Sequence, residues 1–327
     1  MERAPFVSVV TPFYNTADYL EQCITSVLSQ TYREFEYVLC DNCSTDGSTE
    51  IAEAYAAKDS RIRFIRFEEL LSQVANYNRA LDQISPDAEW CKIVQADDWL
   101  YDTCLERMVE VGEVDDEVGL VSSYYLMGNA VHGTGLPIEQ EIFDGKEACR
   151  YQLRDGIFFM GTPTSVMYRT AVVKSRRPFY TLNRYHEDTE AAYEILANHK
   201  LAFVHQVLTS SRVDNPSIMN TIAAFDFPVL DWVIVRNRYA HTFLPPEEAD
   251  ALIRDSNRMY FRHLGWSLLY LRPREFWKYQ QSGLATIDRR MPWALIVFNA
   301  VRAAAISLLN PLSTMKKIWI RWRGADR

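Results

Sequence analysis

Phe6 to Val10 is an apolar run rich in β-branched side chains that stops at Pro12 and Asn15, a pattern that predicts a buried strand entering a loop. Thr16 is placed to cap a helix whose apolar positions Leu20, Ile24, Val27 and Leu28 recur at helical spacing. Phe35 to Cys40 reads as a second strand, closed by the polar stretch Asp41 to Gly47, and Ser48 to Ala57 as a second helix. A third strand over Ile62 to Phe67, a helix over Val74 to Ile84 and a fourth strand over Trp90 to Gln95 continue the alternation. Strands alternating with helices require right-handed crossovers, so the fold class is α/β: a mostly parallel twisted sheet flanked by helices.

The alternation loosens after Glu110. Val118 to Tyr125 predicts a strand, Gly128 to Gly135 a glycine-bearing loop, Ser165 to Tyr168 another strand, Asp188 to Ala197 a helix and Leu201 to Leu208 a last strand. From Phe225 onward the pattern is helical and aromatic. It divides the chain into residues 1–224 and a helical C-terminal extension, 225–327. No internal repeat interrupts either part.

Composition narrows the function classes. Nearly half of the 327 residues are apolar, enough for a sizeable core, and a formal charge of -8 argues against sequence-independent binding to duplex nucleic acid. Charge is uneven: the last forty residues hold eight basic side chains against Asp288 and Asp326, which suggests that the tail meets something anionic. Six cysteines hold one C-x-x-C spacing, Cys40 and Cys43, with no second pair to complete a metal site, and lie mostly in apolar stretches, as buried reduced thiols do. A strand begins almost at the first residue with no signal peptide before it, so the expected location is cytoplasmic.

In an open α/β sheet, ligands bind beyond the carboxyl ends of the strands. Three polar clusters fall there: Thr11 to Asn15, Asp41 to Gly47, and Gln95 to Asp98. None is glycine-rich like a dinucleotide fingerprint, which disfavours a Rossmann dehydrogenase. Adjacent Asp97 and Asp98 repel each other and need a cation or solvent to stay ionised; their hard oxygens suit Mg2+ or Mn2+. A solvated turn capping the next helix is the other reading of that pair. Glu187 and Asp188 are likewise open between a site and an acidic first helical turn favoured by the helix dipole.

Taken in order, these clusters resemble the GT-A glycosyltransferases of family 2. Val7 to Asn15 resembles that family's opening strand and loop, and Asp41-Asn42-Cys43-Ser44-Thr45-Asp46-Gly47-Ser48 its D-D-G-S-T-D-G-S motif. Gln95 to Trp99 resembles its D-x-D region, His186-Glu187-Asp188 its E-D pair, and Gly161 to Ser165 its acceptor-side loop. The resemblance covers about residues 5 to 215, and it is the set, not any one motif, that is specific.

The resemblance implies a GT-A fold and an inverting transfer of a sugar from a nucleotide-diphosphate sugar, uridine being the commonest base. Thr11 and Pro12, with Tyr14 and Asn15, would line the nucleotide pocket, and Asp41 would accept from the base's ring N–H. Asp97 would lie against ribose and phosphates, and Asp98 would hold the divalent metal (Mn2+ or Mg2+). Asp188 would be the general base, with Glu187 orienting the site. Departures are specific. Asn42 replaces an acid. Cys43 replaces a glycine, so the loop is expected not to use φ > 0 there. Gln95 replaces the first aspartate of D-x-D. Asp214 stands where a histidine ligand is usual, either as a third metal ligand or as an ordinary loop residue. Asn78 matches an asparagine of the family, Tyr77 replaces its arginine, and Arg79 reads either as a compensating phosphate contact or as a solvated helix position.

Two further readings compete: a catalytically weak sugar-nucleotide-binding or assembly protein on the same fold, and a nucleotidyltransferase. The latter would want a basic phosphate loop near the N-terminus, and none precedes Arg33. In the tail, Pro292 to Leu309 is apolar but for Asn299, Arg302 and Ser307, which with Asn310 form a narrow polar face. Met315 to Arg323 then mixes Trp319 and Trp322 with Lys316, Lys317, Arg321 and Arg323. That mixture suits attachment to the inner face of the cell membrane, with a glycan or lipid-linked acceptor. A core or oligomer-interface helix is the rival.

Overall fold

A computed structural model describes residues 3–182, 186–213 and 225–309. The chain forms two compact units, Met1–Asn215 and Pro216–Arg327.

The first unit opens with the predicted alternation: β1 (Val7–Phe13), α1 (Ala17–Leu28), β2 (Phe35–Asp41), α2 (Ser48–Ala56), β3 (Ile62–Arg66), α3 (Gln73–Leu81) and β4 (Trp90–Ile93). β5 (Trp99–Leu100), α4 (Cys104–Gly112), β6 (Val118–Met127), β7 (Ala130–His132), β8 (Ile142–Phe143), α5 (Gly145–Asp155), β9 (Val166–Arg169), α6 (Thr170–Ser175), α7 (Glu187–Leu196) and β10 (Lys200–Ser211) follow. The sheet runs β3-β2-β1-β4-β9-β6-β10-β5, with β7 on β6 and β8 on β10. β3, β2, β1 and β4 are mutually parallel, and β10 is parallel to β6; β9 sits antiparallel between β4 and β6. The sheet is therefore mixed on its second half, where the sequence alternation loosens.

Alternation along β1 divides the core. Val7 and Val9 join Leu20, Cys23, Ile24 and Val27 of α1 and Leu105 and Met108 of α4 in one buried cluster. Full burial of one such aliphatic side chain contributes about 1.5–3 kcal/mol. All six cysteines are free thiols, five of them buried and Cys43 half-buried.

Two local expectations change. The stretch read as a loop over 128–135 contains β7, because Gly128 takes φ 60° and turns the chain back on β6. Cys43 takes φ 68°, the left-handed region that glycine favours, so the expectation that this loop avoids φ > 0 at 43 is overturned. Its Sγ donates to Phe67 O at 3.1 Å, an anchor that offsets the steric cost.

The second unit is helical: α8 (Phe227–Phe243), α9 (Pro246–Leu269), α10 (Arg274–Ala285) and α11 (Trp293–Leu309). Leu230, Val233, Tyr260, Leu264, Phe276, Leu284 and Ile296 form its core.

The placement of α7 depends on α5 starting at a residue without a side chain. A Cβ on Gly145 would overlap the carbonyl oxygens of Leu196 and His199 at the end of α7. Gly145→Ala is expected to cost about 1–3 kcal/mol through this overpacking, whereas Gly156→Ala meets nothing within 4 Å and suffers only its φ of 71°. Urea denaturation of both variants checks this; Gly145→Ala melting like wild type would refute the close approach.

Candidate active site

The carboxyl ends of β1, β2 and β4 carry three loops, and the first two are zipped together. Asn15, at φ 51°, donates its N–H to Ser44 Oγ at 3.0 Å, and its Oδ1 accepts from Thr45 N at 2.8 Å. Thr16 N donates to Ser48 Oγ at 2.8 Å, and Ala17 N to Asp46 Oδ2 at 2.9 Å. The amide at the start of α1 is thus held by an aspartate from the neighbouring loop, while the Thr16 side chain makes no capping bond. The Asp46 Oδ1 takes the Ser48 hydroxyl as well, so one carboxylate supports the starts of α1 and α2.

Behind this rim, two residues expected to touch a nucleotide are turned inward. The Thr11 hydroxyl is fully buried, 2.9 Å from Tyr37 OH. Asp41 is also fully buried; its Oδ1 accepts from Ser44 N at 2.8 Å and its Oδ2 from Thr49 Oγ1 at 2.6 Å. Both side chains hold the framework here. Pro12 is buried within β1, whereas Tyr14 and Asn15 lie exposed at the rim.

Asn78 is spent in the same way. Its amide donates to Tyr180 O at 2.8 Å and accepts from Tyr180 N at 2.7 Å, fastening α3 to the segment before α7. Arg79 is not a solvated position. It donates to Asn42 Oδ1, Asn76 Oδ1 and Glu69 O, and its guanidinium lies 3.7 Å from the centre of the Phe67 ring. Asn42 closes that knot with reciprocal 2.9 Å bonds to the Leu71 backbone.

At the end of β4 the two adjacent aspartates separate. Asp97 is half-buried, while Asp98 is 4% exposed. Asp98 Oδ2 accepts from Thr164 Oγ1 at 2.6 Å and Ser211 Oγ at 3.1 Å, and Oδ1 from Arg212 N at 3.1 Å. The next helix, α4, takes Thr103 as its N-cap, so neither aspartate caps it. Asp98 instead joins β4's end to the Thr162–Ser165 turn and to β10. Arg212 adds Nε to Asp97 O at 3.2 Å and stacks between the Tyr19 and Trp99 rings.

Beneath this lies Lys92, fully buried, its Nζ donating to Thr164 O at 2.5 Å and Val166 O at 3.2 Å. Burial drives its ammonium below the usual lysine range, and the charge of Asp98 opposes that drift. A buried cation and a buried carboxylate thus grip opposite sides of one threonine. Thr164 lies in the Gly161–Ser165 loop that the sequence singled out, whereas Lys92 did not stand out, because a lysine inside an apolar strand reads as a surface position.

Glu187 and Asp188 lie in the acidic first turn of α7, so both readings of the pair persist in the structure. Asp188 Oδ1 accepts from Thr189 N at 2.6 Å. The Asp188 charge reaches Tyr125, whose phenol is pushed up to about 12 by burial and then by that charge. It also reaches Tyr180, whose ring centre lies 6.3 Å from that of Tyr77. Tyr77 in turn accepts from Gln95 Nε2 at 3.1 Å, and its phenol is held well above its ordinary range by burial first, then by Asp97 and, more weakly, Glu187. The end of β4 and the start of α7 therefore act on one pair of buried tyrosines. Asp214 lies outside the described residues. Among the described residues no three His, Cys, Asp or Glu side chains group as a metal cage.

Burial, and then the charge of Asp97, push the Asp98 carboxyl up to about 7, above the ~3.9 of an unfolded aspartate. Ionising it opposes folding, so its stabilising contribution is whole below pH ~4 and is lost as pH rises to about 7. In EDTA, the stability of wild type relative to Asp98→Asn is expected to fall across that window and then level off. A difference independent of pH in urea titrations would contradict it.

The family model "Glycosyl transferase family 2" matches residues 8–177. Streptococcus pneumoniae glycosyltransferase GlyG is 32% identical over 119 residues, 36% of this chain and 39% of that protein. The putative teichuronic acid biosynthesis glycosyltransferase TuaG of Bacillus subtilis is 36% identical over 107 residues, 32% of this chain and 41% of its own length. These matches thus span well under half of either relative. The fold is shared with Staphylococcus aureus TarS 1–349 in complex with UDP-GlcNAc, at a TM-score of 0.63 and 19% identity over 89% of this chain and 82% of that one. With over half its length matched to the family, the chain belongs to glycosyl transferase family 2 on a GT-A fold.

Proposed function

We propose that this protein transfers a glycosyl group from a UDP-sugar to an acceptor hydroxyl with inversion at the anomeric carbon, aided by Mn2+ or Mg2+. The observation that carries the reading is that Asp97, at the end of β4, and the Glu187–Asp188 turn of α7 bear on the same Tyr77–Tyr180 pair. In this reading the donor-side and acceptor-side carboxylates border one cleft. The UDP-GlcNAc bound to TarS supports the donor class.

In this reading residues 1–224 are the catalytic part, and the nucleotide lies over the zipped β1 and β2 loops. Tyr14 and Asn15 form its rim, while Thr11, Pro12, Asp41 and Asn78 keep that rim in place from behind. A divalent ion of the Mg2+ class takes one or two carboxylates and completes its shell with substrate phosphates and water. The residues fit such an ion: Asp97 would hold it, and Asp98, already accepting three protein hydrogen bonds, would act from behind. When bound, the ion offsets the negative charge that gathers on the diphosphate as it leaves. Asp188 takes the proton of the acceptor hydroxyl as its oxygen attacks the anomeric carbon. Attack on the face opposite the diphosphate gives inversion. Glu187 orients the acceptor.

A glycan or lipid-linked glycan is the acceptor, at the inner face of the cell membrane. The name of TuaG, which assigns it to teichuronic acid biosynthesis, supports a polysaccharide product.

Two experiments test the assignment. Asp188→Asn is expected to lower kcat by about 10²–10⁴-fold, the usual worth of a positioned base, with the donor KM nearly unchanged. Turnover equal to wild type across a panel of nucleotide sugars would exclude Asp188 as the base. In thermal shift, UDP at about 100 times its Kd adds roughly 2.7 kcal/mol, and Asp97→Ala is expected to lose the Mn2+-dependent part of that gain while Asp98→Asn keeps it. The reverse outcome would return the ion to Asp98.

A further inference from the structure

The last helix of the second unit has an inside and an outside that the sequence alone does not separate. α11 packs on α9 through Ile296, Ala300 and Ala303. The contact is close because Gly265 of α9 has no side chain: a Cβ there would stand 2.7 Å from Asn299 Cβ and 2.9 Å from Ala300 N. Small residues on both helices thus confine the buried stripe to one narrow side.

Asn299, Ala304 and Ser307 are half-buried at the margins of that stripe, and the rest of α11 faces outward. Of its eleven exposed positions ten are apolar, and the remaining one is Arg302. Phe298 and Val301 are each 64% exposed and Leu308 is 82% exposed. A helix whose outer side meets water carries polar residues there. A contiguous apolar patch of this kind marks a contact surface. The patch does not end with the helix. Trp293 lies 5.2 Å from Trp277, whose indole N–H donates to Arg272 O at 3.2 Å, so the α9–α10 loop adjoins the start of α11. The tip of that loop is Leu271, 87% exposed and held at φ 51°.

The occupant follows from charge and length. Among the described residues no helix is long and apolar enough to cross a membrane. At 1.5 Å per residue the helix's 17 residues reach about 25 Å, short of the ~30 Å hydrocarbon core. Beyond the helix, Lys316, Lys317, Arg321 and Arg323 alternate with Trp319 and Trp322, the mixture that suits a layer of anionic headgroups. A second copy of this chain would cover the apolar face alone, whereas an anionic bilayer takes both that face and the basic stretch. Arg302 is long enough to carry its charge to the headgroups while its stem stays in the apolar layer.

We propose that the outward face of α11, with Leu271 beside it, lies flat in the interfacial layer of an anionic bilayer, its axis parallel to the surface. The proposal extends the reading of a membrane-proximal acceptor, yet its test needs no turnover.

Full-length protein is floated with phosphatidylcholine vesicles and with vesicles containing 30% phosphatidylglycerol. Wild type is expected to float with the anionic vesicles and to be released by high salt. Phe298→Asp/Val301→Asp is expected to lower partitioning about tenfold or more. Neutralising Lys316, Lys317, Arg321 and Arg323 to Gln is expected to lower it on the order of a thousandfold. Met259→Asp, which removes an exposed methionine from α9, is expected to change nothing. Equal flotation of wild type and Phe298→Asp/Val301→Asp would overturn the proposal, as would a wild type that floats with neither vesicle. A wild-type dimer in light scattering that these two substitutions convert to monomer would assign the face to a second copy instead. Stabilisation by UDP, measured on the same proteins, separates the two readings: its absence counts against the transferase, while loss of flotation alone counts against the bilayer.

Discussion

A carboxylate withdrawn from water must be hydrogen-bonded, and that requirement organises the first unit around Asp98. Its two oxygens draw together the end of β4, the Thr162–Ser165 turn and the start of the segment after β10, three stretches far apart in the chain. Unmade bonds to a buried charge cost more than ordinary ones, so each partner is held firmly. Lys92 reaches the same turn from the opposite side through the Thr164 carbonyl. The end of β4, the Thr162–Ser165 turn and the end of β10 are thus joined in one hydrogen-bonded network.

That rigidity explains why so many polar groups near the site do not face it. Asp41, Asn42, Asn78 and Arg79 would each look like a ligand contact if only their residue types were considered. Each instead satisfies backbone amides or carbonyls that the turns leave unpaired. Loops that must present a few groups at fixed positions need more polar side chains behind them than in front. Of the two consecutive aspartates, Asp98 is fixed inward and Asp97 stays half-buried.

Electrostatics runs the same way. Burial and the proximity of Asp97 both make ionisation of Asp98 unfavourable, so its carboxyl titrates near neutrality. A cation in the cleft would favour the charged form of both aspartates. Tyr77 and Tyr180, packed between the strand end and the start of α7, stay protonated and give the two acidic segments a common apolar wall.

Much of this was legible in the residue pattern, and the physical reason is local. β1, β2 and β4 announce themselves by apolar runs, α1 by its 3.6-residue period, and their polar ends by the turn residues that stop them. The order of those ends, with Glu187–Asp188 after them, was enough to place the family. Long-range pairing was not legible. Residue types do not reveal that Asn78 will spend its amide on a backbone 102 positions away. Nor do they say which of two consecutive aspartates points inward, or that Cys43 will accept a glycine's φ because Phe67 O awaits its thiol. The last helix makes the same point: the pattern of Trp293 to Leu309 offers a narrow polar face through Asn299, Arg302 and Ser307, yet Asn299 and Ser307 end half-buried and only Arg302 of the three is exposed. Gly265 brings the two helix backbones together along one stripe, and packing, which depends on contacts between distant segments, leaves the opposite side to the solvent.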